Sequence, residues 1–382
     1  MSNTLVITND FPPRPGGIQT FGYELVRRFE PGQVSVLTSS WDGATEFDAA
    51  QKFMTVRAKT KTLLPNKRTL AMAREIIIAN DVTRVLFGAA APLGLLAPSL
   101  RKLGVKNIVG MTQGHEVGWA MTPGMKQALR KIGNDVDYLT YISEYTHKKI
   151  SRALSPSAAS NMRRVVPGVN TTEFSPTNLT AGSALRSSID WTNRPVIVCV
   201  SRLMTRKGQD QIIQALPQVL KVVPMASLII VGDGPYRKHL EKLTADLGLR
   251  DNLHFTGKVD QAQLANWYAA GDVFAMPCRT RVGGWDVEGL GIVFLEASAT
   301  GLPVIVGNSG GAVDAVLDGE TGFLVDGNNL SEIRDRLIEL LANQDLAKRM
   351  GSAGRNWVTQ EWTWEHSFTR LESLLSGIDP DQ

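Results

Sequence analysis

Short apolar runs of strand length alternate with helix-length stretches along almost the whole of this 382-residue chain. Such alternation predicts parallel β-sheets, because consecutive parallel strands are joined by right-handed helical crossovers. The runs fall into two series, separated by a stretch rich in Ser, Thr, Asn and Pro that extends to about residue 194. The first series contains TLVITND, QVSVLTSS, RVLFGAA, NIVGMTQG and DYLTYISE, and the second contains PVIVCVSRL, SLIIVGDG, NLHFTG, VFAMPC, PVIVGN and GFLVD.

The two series predict an α/β protein of two Rossmann-like, doubly wound domains. One lies at 1–170 and the other begins at 171, with the boundary near VVPGVNTTEFSP at 165–176. A chain of this length also exceeds what a single hydrophobic core usually serves. In open α/β sheets, ligands bind beyond the carboxyl ends of the strands. We therefore expect two sheets that face one another across a cleft, with one ligand site in that cleft.

Composition is that of a folded globular protein, with 43% hydrophobic and 20% charged residues. The N-terminal MSNTLVITND lacks the basic segment and long apolar run of a signal peptide, and no apolar segment reaches the length of a membrane-spanning helix. Cys199 and Cys278 lie in apolar surroundings, VIVCVS and FAMPCR. This context predicts buried, reduced thiols in a cytosolic protein.

Charge is unevenly distributed along the chain. Residues 1–170 contain 22 Lys and Arg against 12 Asp and Glu, whereas 171–382 contain 19 against 25. A basic half suits an anionic partner such as nucleic acid, a membrane surface or a phosphorylated substrate, although solvated surface lysines give the same count. We expect no nucleic acid, because the basic half has no interleaved aromatic platform or recognition motif.

The loops that follow the predicted strands carry the candidate functional residues. Gly16 and Gly17 precede a helix predicted near 18–29 and would let an anion approach its N-terminus. His115 stands at the carboxyl end of the fourth predicted strand, where it either faces the cleft or serves a structural role. Arg202 and Lys207 follow the first strand of the second domain, where they either clamp a diphosphate or form an exposed basic turn.

The segment EGLGIVFLE, residues 288–296, combines a glycine-rich loop with the start of a helix. The backbone amides of Leu290, Gly291 and Ile292 are free to bind an anion, and the helix dipole adds about half a positive charge there. Glu296 lies about one turn into the helix, within reach of a ribose diol. Glu288, in the loop, would face the group beyond the far phosphate. Both glutamates therefore have hydroxyl groups as expected partners.

These features resemble the retaining nucleotide-sugar glycosyltransferases of family 4, which have the GT-B fold. The resemblance covers nearly the whole chain. It rests on the E-x7-E pattern of EGLGIVFLE together with PGG, GHE, SRL…KG, GDGP, FTGKV and NSGGAVDAV, in that family's order and spacing. Within the family, the chain is most similar to the mannosyltransferases that elongate phosphatidylinositol mannosides, in particular those that act on the monomannoside.

The resemblance implies a role for each candidate residue. Gly16 and Gly17 lie near the phosphate and sugar of the donor, and His115 faces the hydroxymethyl group of that sugar. Lys258 and Val259 line the base site through their backbone. The implied donor is GDP-mannose, and the implied acceptor is a phosphatidylinositol-based glycolipid in which an α-1,6 linkage is formed.

The remaining implied roles belong to the second domain, at 171–361. Arg202 and Lys207 hold the diphosphate, together with the amides of 290–292. Glu288 binds the transferred sugar, and Glu296 binds the ribose. In the family the last helix crosses back to the first domain. Here that helix falls at about 362–376, within a returning segment of 362–382.

The departing nucleoside diphosphate builds up negative charge, which Arg202, Lys207 and the helix amides would stabilise without a metal. Metal-dependent transferases usually have a D-x-D motif, and Asp135 and Asp137 form one. They precede a predicted strand at the end away from the cleft, so we expect no metal and no cofactor. No loop offers a carboxylate for double displacement, which favours front-face substitution with retention and leaves double displacement as the alternative.

Two segments, 57–79 and 121–133, mix basic with apolar residues. They suit peripheral attachment to anionic lipid, although ordinary amphipathic helices with buried apolar sides show the same composition. With the lipid-linked acceptor, we expect a protein attached to the cytoplasmic face of the cell membrane. The residues are Arg57, Lys59, Lys61, Leu63, Leu64, Lys67, Arg68, Leu70 and Arg74, then Met121, Met125, Lys126, Leu129, Arg130 and Lys131.

Two other functions remain open from the sequence. Another nucleotide-sugar-dependent member of the family would have the same motifs, because backbone contacts at 257–259 suit guanine or uracil. A non-hydrolysing nucleotide-sugar 2-epimerase also has two facing doubly wound domains, but it needs additional acid and base carboxylates. A dehydrogenase is disfavoured, since no first-strand G-x-G-x-x-G with a downstream acid is present.

Overall fold

The computed structural model describes residues 3–284 and 286–381. The chain divides into two compact units. Unit 1 comprises Met1–Gly168 with Trp364–Gln382, and unit 2 comprises Val169–Thr363. Gln382, the last residue of the predicted returning segment, lies outside the described residues.

Unit 1 is built on a parallel sheet that has seven strands within the described residues, in the order β3-β2-β1-β4-β5-β6-β7. Its strands are β1 Asn3–Ile7, β2 Val34–Ser39, β3 Met54–Ala58, β4 Val82–Phe87, β5 Asn107–Met111, β6 Tyr138–Tyr141 and β7 Met162–Arg164. Its helices are α1 Gly17–Val26, α2 Ala44–Ala49, α3 Lys67–Ala79, α4 Ala97–Arg101, α5 Glu116–Met121, α6 Met125–Asp135, α7 Glu144–Ser151 and α8 Pro156–Ser160.

Unit 2 has a second parallel sheet, with six described strands in the order β10-β9-β8-β11-β12-β13. The strands are β8 Val196–Val200, β9 Ser227–Val231, β10 Leu253–Gly257, β11 Val273–Met276, β12 Val304–Gly307 and β13 Gly322–Val325. The helices are α9 Leu179–Ser188, α10 Gln209–Val219, α11 Arg237–Asp246, α12 Gln261–Ala269, α13 Ile292–Thr300, α14 Leu330–Ala342 and α15 Gln344–Glu361; the last helix of the chain, α16 Trp364–Leu375, belongs to unit 1.

The prediction of two parallel-sheet α/β domains is confirmed. Strands β8 and β11 consist almost wholly of fully buried apolar residues, as expected where helices cover both faces of a parallel sheet. The two cysteines lie in this core as free thiols, and burial raises the pKa of Cys199 and of Cys278 to about 12. The sequence analysis missed β3 and β7, which form the two edges of the first sheet.

The segment between the two strand series is not simply a linker, because it contains helix α9. Gly182, in that helix, packs against the backbone of Ala269 at the end of α12. A Cβ atom at Gly182 would lie 2.3 Å from the Ala269 carbonyl oxygen, so only glycine permits this approach. The polar composition of the segment reflects the exposed face of α9 and the short turn before it, where Ser175 Oγ accepts a hydrogen bond from the Thr177 amide.

The predicted lipid-contacting segments are partly buried. Arg57 is a strand residue whose guanidinium binds both carboxylate oxygens of Asp48, at 2.7 and 2.8 Å. Leu63 is only 2% exposed, and Leu129 is completely buried. The expectation that these three residues meet lipid is therefore wrong. No helix in the described part of the chain has the length and apolar character needed to cross a membrane.

Helix α16 packs on unit 1 through aromatic and ionic contacts. Trp364 lies against Phe21 of α1, with ring centroids 5.9 Å apart. Arg84 of β4 is 5% exposed, and it donates to Glu372 Oε1 of α16 at 2.5 Å and to Thr4 Oγ1 of β1 at 3.0 Å. A buried guanidinium needs such partners, so this cluster fixes α16 against the sheet.

Replacing Arg84 with methionine tests this anchor. We expect R84M to lower the free energy of unfolding by about 2 kcal/mol, because Glu372 and Thr4 lose their donor, while the partial exposure of Glu372 limits the loss. Urea unfolding of the two proteins measures the difference. Glu365→Ala, which removes a 77%-exposed carboxylate from Arg28 just after α1, is the control and should cost less than about 0.5 kcal/mol. An R84M stability within that control range would contradict the assigned role.

Candidate active site

The carboxyl ends of β8, β11 and β12 in unit 2 are held together by close backbone contacts. Gly208, at the start of α10, has a φ of +77°, and a Cβ atom there would lie 2.1 Å from the Pro277 carbonyl oxygen. Gly307, at the end of β12, is equally close to the next loop, because a Cβ atom added there would lie 1.9 Å from the carbonyl oxygen of Cys278. The loops after these three strands therefore form one continuous surface at the sheet edge where ligands bind in such folds.

Lys207 and Glu288 meet in this surface. Lys207 Nζ lies 2.6 Å from Glu288 Oε2, and both side chains are about nine-tenths buried. The second oxygen, Oε1, accepts no hydrogen bond within the described residues. The hydrogen-bonded partner of the buried Glu288 carboxylate is thus a lysine, and Arg206 Nε lies 3.9 Å from the same oxygen. A residue predicted to hold phosphate and one predicted to hold sugar are brought into contact.

The backbone around Glu288 is supported by residues 309–311. The Glu288 carbonyl oxygen accepts a 2.8 Å hydrogen bond from the Gly311 amide, and the Glu288 amide donates to Ser309 Oγ at 3.4 Å. Gly310, with φ of +57°, passes so close that a Cβ atom would lie 2.1 Å from the same carbonyl oxygen. The NSGG motif noted in the sequence therefore positions the loop that carries Glu288.

Helix α13 begins at Ile292, after Gly291 in a left-handed conformation with φ of +80°. The amides of Leu290, Gly291 and Ile292 donate to no acceptor among the described residues. Free amides at the positive end of a helix dipole suit an anion, and the binding of phosphate by these three amides stays a prediction. The helix ends at Thr300, before Gly301.

Glu296, in the second turn of α13, has a neutral partner rather than a cation. The Tyr268 hydroxyl of α12 donates to Glu296 Oε2 at 2.6 Å. Burial raises the pKa of Glu296 to about 7, the Tyr268 hydrogen bond opposes this rise, and the charge of nearby Glu173 adds to it. Tyr268 was missed by the sequence analysis, because a tyrosine inside a helix looks like ordinary core.

The other predicted donor residues of unit 2 are more exposed. Arg202 follows β8, its side chain is exposed, and it forms no ion pair within the described residues. Lys258 and Val259 follow β10, the first exposed and the second half-buried. All three stand at carboxyl ends of strands, as predicted, and their side chains or backbone remain available to a ligand.

A second buried ion pair, Arg279 with Asp210, also escaped sequence analysis. Arg279 Nη2 lies 2.7 Å from Asp210 Oδ2, and the Arg279 amide donates to the Arg206 carbonyl oxygen at 2.8 Å. The pair therefore links the loop after β11 to the turn that carries Lys207. Burial raises the pKa of neighbouring Tyr236, and the Asp210 charge adds to that rise.

In unit 1, the PGG loop lies between β1 and α1. Gly16 has φ of +150°, and a Cβ atom there would lie 2.2 Å from Gln19 Oε1. Gln19 is 6% exposed and donates through Nε2 to Asp10 Oδ1 at 2.7 Å. Gly17 opens α1 and has no atom within 4 Å of its Cβ position. The loop thus leaves open backbone before a helix, as expected.

His115 stands directly before α5, at the carboxyl end of β5. Its side chain is 39% exposed, and its Nε2 lies 3.2 Å from Oε1 of the fully buried Glu116. Burial raises the pKa of Glu116, and the His115 charge opposes that rise. Glu116 Oε2 accepts a hydrogen bond from the Gln113 amide at 2.8 Å, which fixes the carboxyl group beside the imidazole.

The D-x-D motif has structural partners. Asp137 accepts hydrogen bonds from Arg101 Nη2 at 2.7 Å and from the Ile108 amide at 2.6 Å. Asp135 pairs with Lys131 one helical turn away, at 3.0 Å. In the described residues, no group of three or more His, Cys, Asp or Glu side chains is placed to hold a metal ion.

The chain has two parallel-sheet units, and one of them brings a cationic turn, free helix amides and two carboxyl groups to one edge of its sheet. Together these features define the class of GT-B glycosyltransferases. Solved structures share this fold. The Anabaena protein HepE, crystallised in complex with UDP, aligns with a TM-score of 0.81 over 98% of this chain and 100% of its own, at 19% identity.

Residues 184–357 match the family of glycosyl transferases group 1. The chain is 46% identical to the GDP-mannose-dependent alpha-(1-6)-phosphatidylinositol monomannoside mannosyltransferase of Mycolicibacterium smegmatis, over 98% of both chains. It is 42% identical to a Corynebacterium glutamicum mannosyltransferase named for the monoacylated monomannoside, again over 98% of both. The chain therefore belongs to the glycosyltransferase family that contains these mannosyltransferases. The predicted family, fold and enzyme class are confirmed.

The titration of Glu296 predicts how nucleotide binding depends on pH. Ribose hydroxyls donate to an ionised carboxylate, so if Glu296 binds a ribose, as predicted, a nucleoside diphosphate such as GDP should bind less tightly as pH falls through about 7, where Glu296 takes up a proton. We expect the Kd for GDP to rise about fivefold to tenfold from pH 8 to pH 6. Isothermal titration calorimetry measures it.

GDP itself contributes to the pH dependence of binding, and Glu296→Gln serves as the control for that contribution. This variant should bind GDP more weakly at pH 8 and should retain only the pH dependence that belongs to the nucleotide. Equal pH profiles for the two proteins would show that Glu296 does not contact the nucleotide in its ionised form.

Proposed function

We propose that this enzyme transfers mannose from GDP-mannose to a phosphatidylinositol monomannoside and forms an α-1,6 linkage. The observation that carries the proposal is the near full-length similarity to enzymes named for this donor and acceptor. The site geometry supports it, since Lys207 and the α13 amides suit a diphosphate and both glutamates retain a free carboxylate oxygen for hydroxyl groups.

Donor binding is assigned to unit 2. Arg202, Lys207 and the amides at 290–292 surround the diphosphate, Glu296 accepts hydrogen bonds from the ribose, and the backbone at 258–259 contacts guanine. Cations and amide dipoles that are already in place stabilise the charge of the departing GDP without reorganisation. This arrangement supports leaving-group departure without a metal.

Glu288 and His115 are assigned to the transferred mannose. Glu288 Oε1 is available to sugar hydroxyls, while Oε2 stays on Lys207, so one residue links the sugar to the phosphate-binding cation. Gly16 and Gly17 leave backbone open near the donor, and His115 orients the sugar. The acceptor hydroxyl attacks from the side of the leaving group, and a donor phosphate oxygen takes its proton, which retains the anomeric configuration.

Acceptor and membrane binding are assigned to unit 1. Several cations and apolar side chains of the two predicted segments are exposed, which suits contact with anionic lipid at the cytoplasmic face of the membrane. Leu64 is 55% exposed, Met121 38% and Met125 46%. The exposed cations are Lys59, Lys61, Lys67, Arg68, Arg74, Lys126, Arg130 and Lys131.

Transfer assays with labelled GDP-mannose, GDP-glucose and UDP-glucose onto phosphatidylinositol monomannoside test the proposal. We expect transfer from GDP-mannose, with an α-1,6-linked product. Transfer from a different nucleotide sugar would identify another activity of the family, and isomerisation of the donor without acceptor would identify an epimerase.

Replacing Glu288 with glutamine separates catalysis from donor binding. E288Q frees the Lys207 charge, so we expect GDP to bind as tightly as in the wild type or more tightly, while kcat falls at least about a hundredfold because the sugar loses its acceptor. Calorimetry with GDP and initial-rate kinetics give the two values. His115→Ala should likewise lower kcat and leave the Kd for GDP unchanged. Near-normal turnover in either variant would overturn that residue's role.

Charge reversal on α3 tests membrane attachment. We expect K67E/R68E to reduce binding to vesicles containing phosphatidylinositol by about tenfold or more, since each cation near the surface contributes about 1 kcal/mol. Co-sedimentation with anionic and neutral vesicles measures this. The control, K148E/R152E, makes the same charge change at α7, which contacts β6 near one edge of the sheet, whereas α3 contacts β1, β2 and β4. Equal losses in the two double variants would indicate a general charge effect and no defined surface.

A further inference from the structure

Tyr268 is a buried tyrosine whose hydroxyl has a specific partner. Its side chain is 0% exposed, and its ring lies between Phe174 and Phe274, with centroid separations of 5.5 and 5.7 Å. The hydroxyl donates to Glu296 Oε2 at 2.6 Å, which is short, as expected for a bond to a carboxylate. A phenylalanine would fill the same space, so packing alone does not explain the hydroxyl.

Glu296 has few other constraints on its carboxyl group. No cation pairs with it within the described residues, and Oε1 accepts no hydrogen bond there. The side chain of a glutamate has three rotatable bonds, and holding it in one orientation costs conformational entropy. Tyr268 supplies that restraint before the ligand arrives, through a rigid ring fixed by Phe174 and Phe274.

We propose that Tyr268 is a positioning residue for nucleotide binding, which fixes Glu296 so that Oε1 receives the ribose hydroxyls of the donor. The inference rests on the proposed ribose contact of Glu296 and deepens it. A neutral hydroxyl is suited to this task, because it orients the carboxylate while leaving its charge unpaired for the ligand. A lysine or arginine in its place would neutralise that charge.

A comparison of GDP with 2′,3′-dideoxy-GDP tests the inference, because the second compound lacks the hydroxyls that Glu296 would bind. We expect Tyr268→Phe to weaken GDP binding about tenfold and to leave the binding of dideoxy-GDP within about twofold of the wild type. Calorimetry at pH 8 gives the four dissociation constants. Equal weakening for both nucleotides would overturn the inference, since a role confined to packing does not distinguish them.

Two further variants make the outcomes separable. Glu296→Gln should itself lose the discrimination between GDP and dideoxy-GDP; if it does not, the ribose contact fails, and the proposed function of Glu296 falls with it. Thr300→Val removes a buried hydroxyl of α13, the helix of Glu296, and this hydroxyl donates to the Glu296 carbonyl oxygen at 2.9 Å rather than to the carboxylate. This control should change both nucleotides equally or not at all.

The pH profile gives an independent readout. The Tyr268 hydrogen bond holds the pKa of Glu296 down against its burial and the charge of Glu173. The Y268F variant should therefore shift the midpoint of the pH dependence of GDP binding upward from about 7. An unchanged midpoint in a folded variant would contradict the inference, because the hydroxyl would then have no influence on the carboxylate.

Discussion

The buried contact between Lys207 and Glu288 is the interaction on which the site in unit 2 depends. Each group on its own would be costly to remove from water, and a 2.6 Å ion pair with further backbone support offsets that cost. The pair also joins two loops that leave different strands, β8 and β11. Breaking it leaves a single buried charge, so the loops at this edge are held in one conformation before any ligand binds.

Backbone contacts complete the same arrangement. Three glycines lie against a backbone carbonyl oxygen so closely that any side chain would collide with it: Gly208, Gly307 and Gly310. These approaches bring the ends of three parallel strands close enough for the pair to form. For the function that we propose, the consequence is preorganisation, because the loops that carry Lys207 and the α13 amides are fixed and would stabilise the charge on a leaving group without movement of the protein.

The sequence predicted the parts of the fold and site that follow a simple rule. Five of the six described strands of unit 2 contain at least three consecutive apolar residues, and all six were found, including the less regular β10, LHFTG. Arg202 and Glu296 were selected from their places after β8 and in α13, and their contacts with a ligand stay predictions. Strand β3, MTVRA, was missed because only its last residue is buried, and edge strands lack the apolar signal. Tyr268 and the Arg279–Asp210 pair were missed because partners on different elements cannot be identified without the packing.

The two glutamates of the E-x7-E segment show why a sequence pattern defines a site only in part. Glu288 is held by a lysine, whereas Glu296 is held by a phenol and has a pKa raised to about 7 by burial. A cationic partner neutralises the charge of one carboxylate, and a neutral partner leaves the charge of the other unshared. The different tasks that we propose for the two glutamates therefore follow from their neighbours, Lys207 and Tyr268, and not from the identical side chains that the motif specifies.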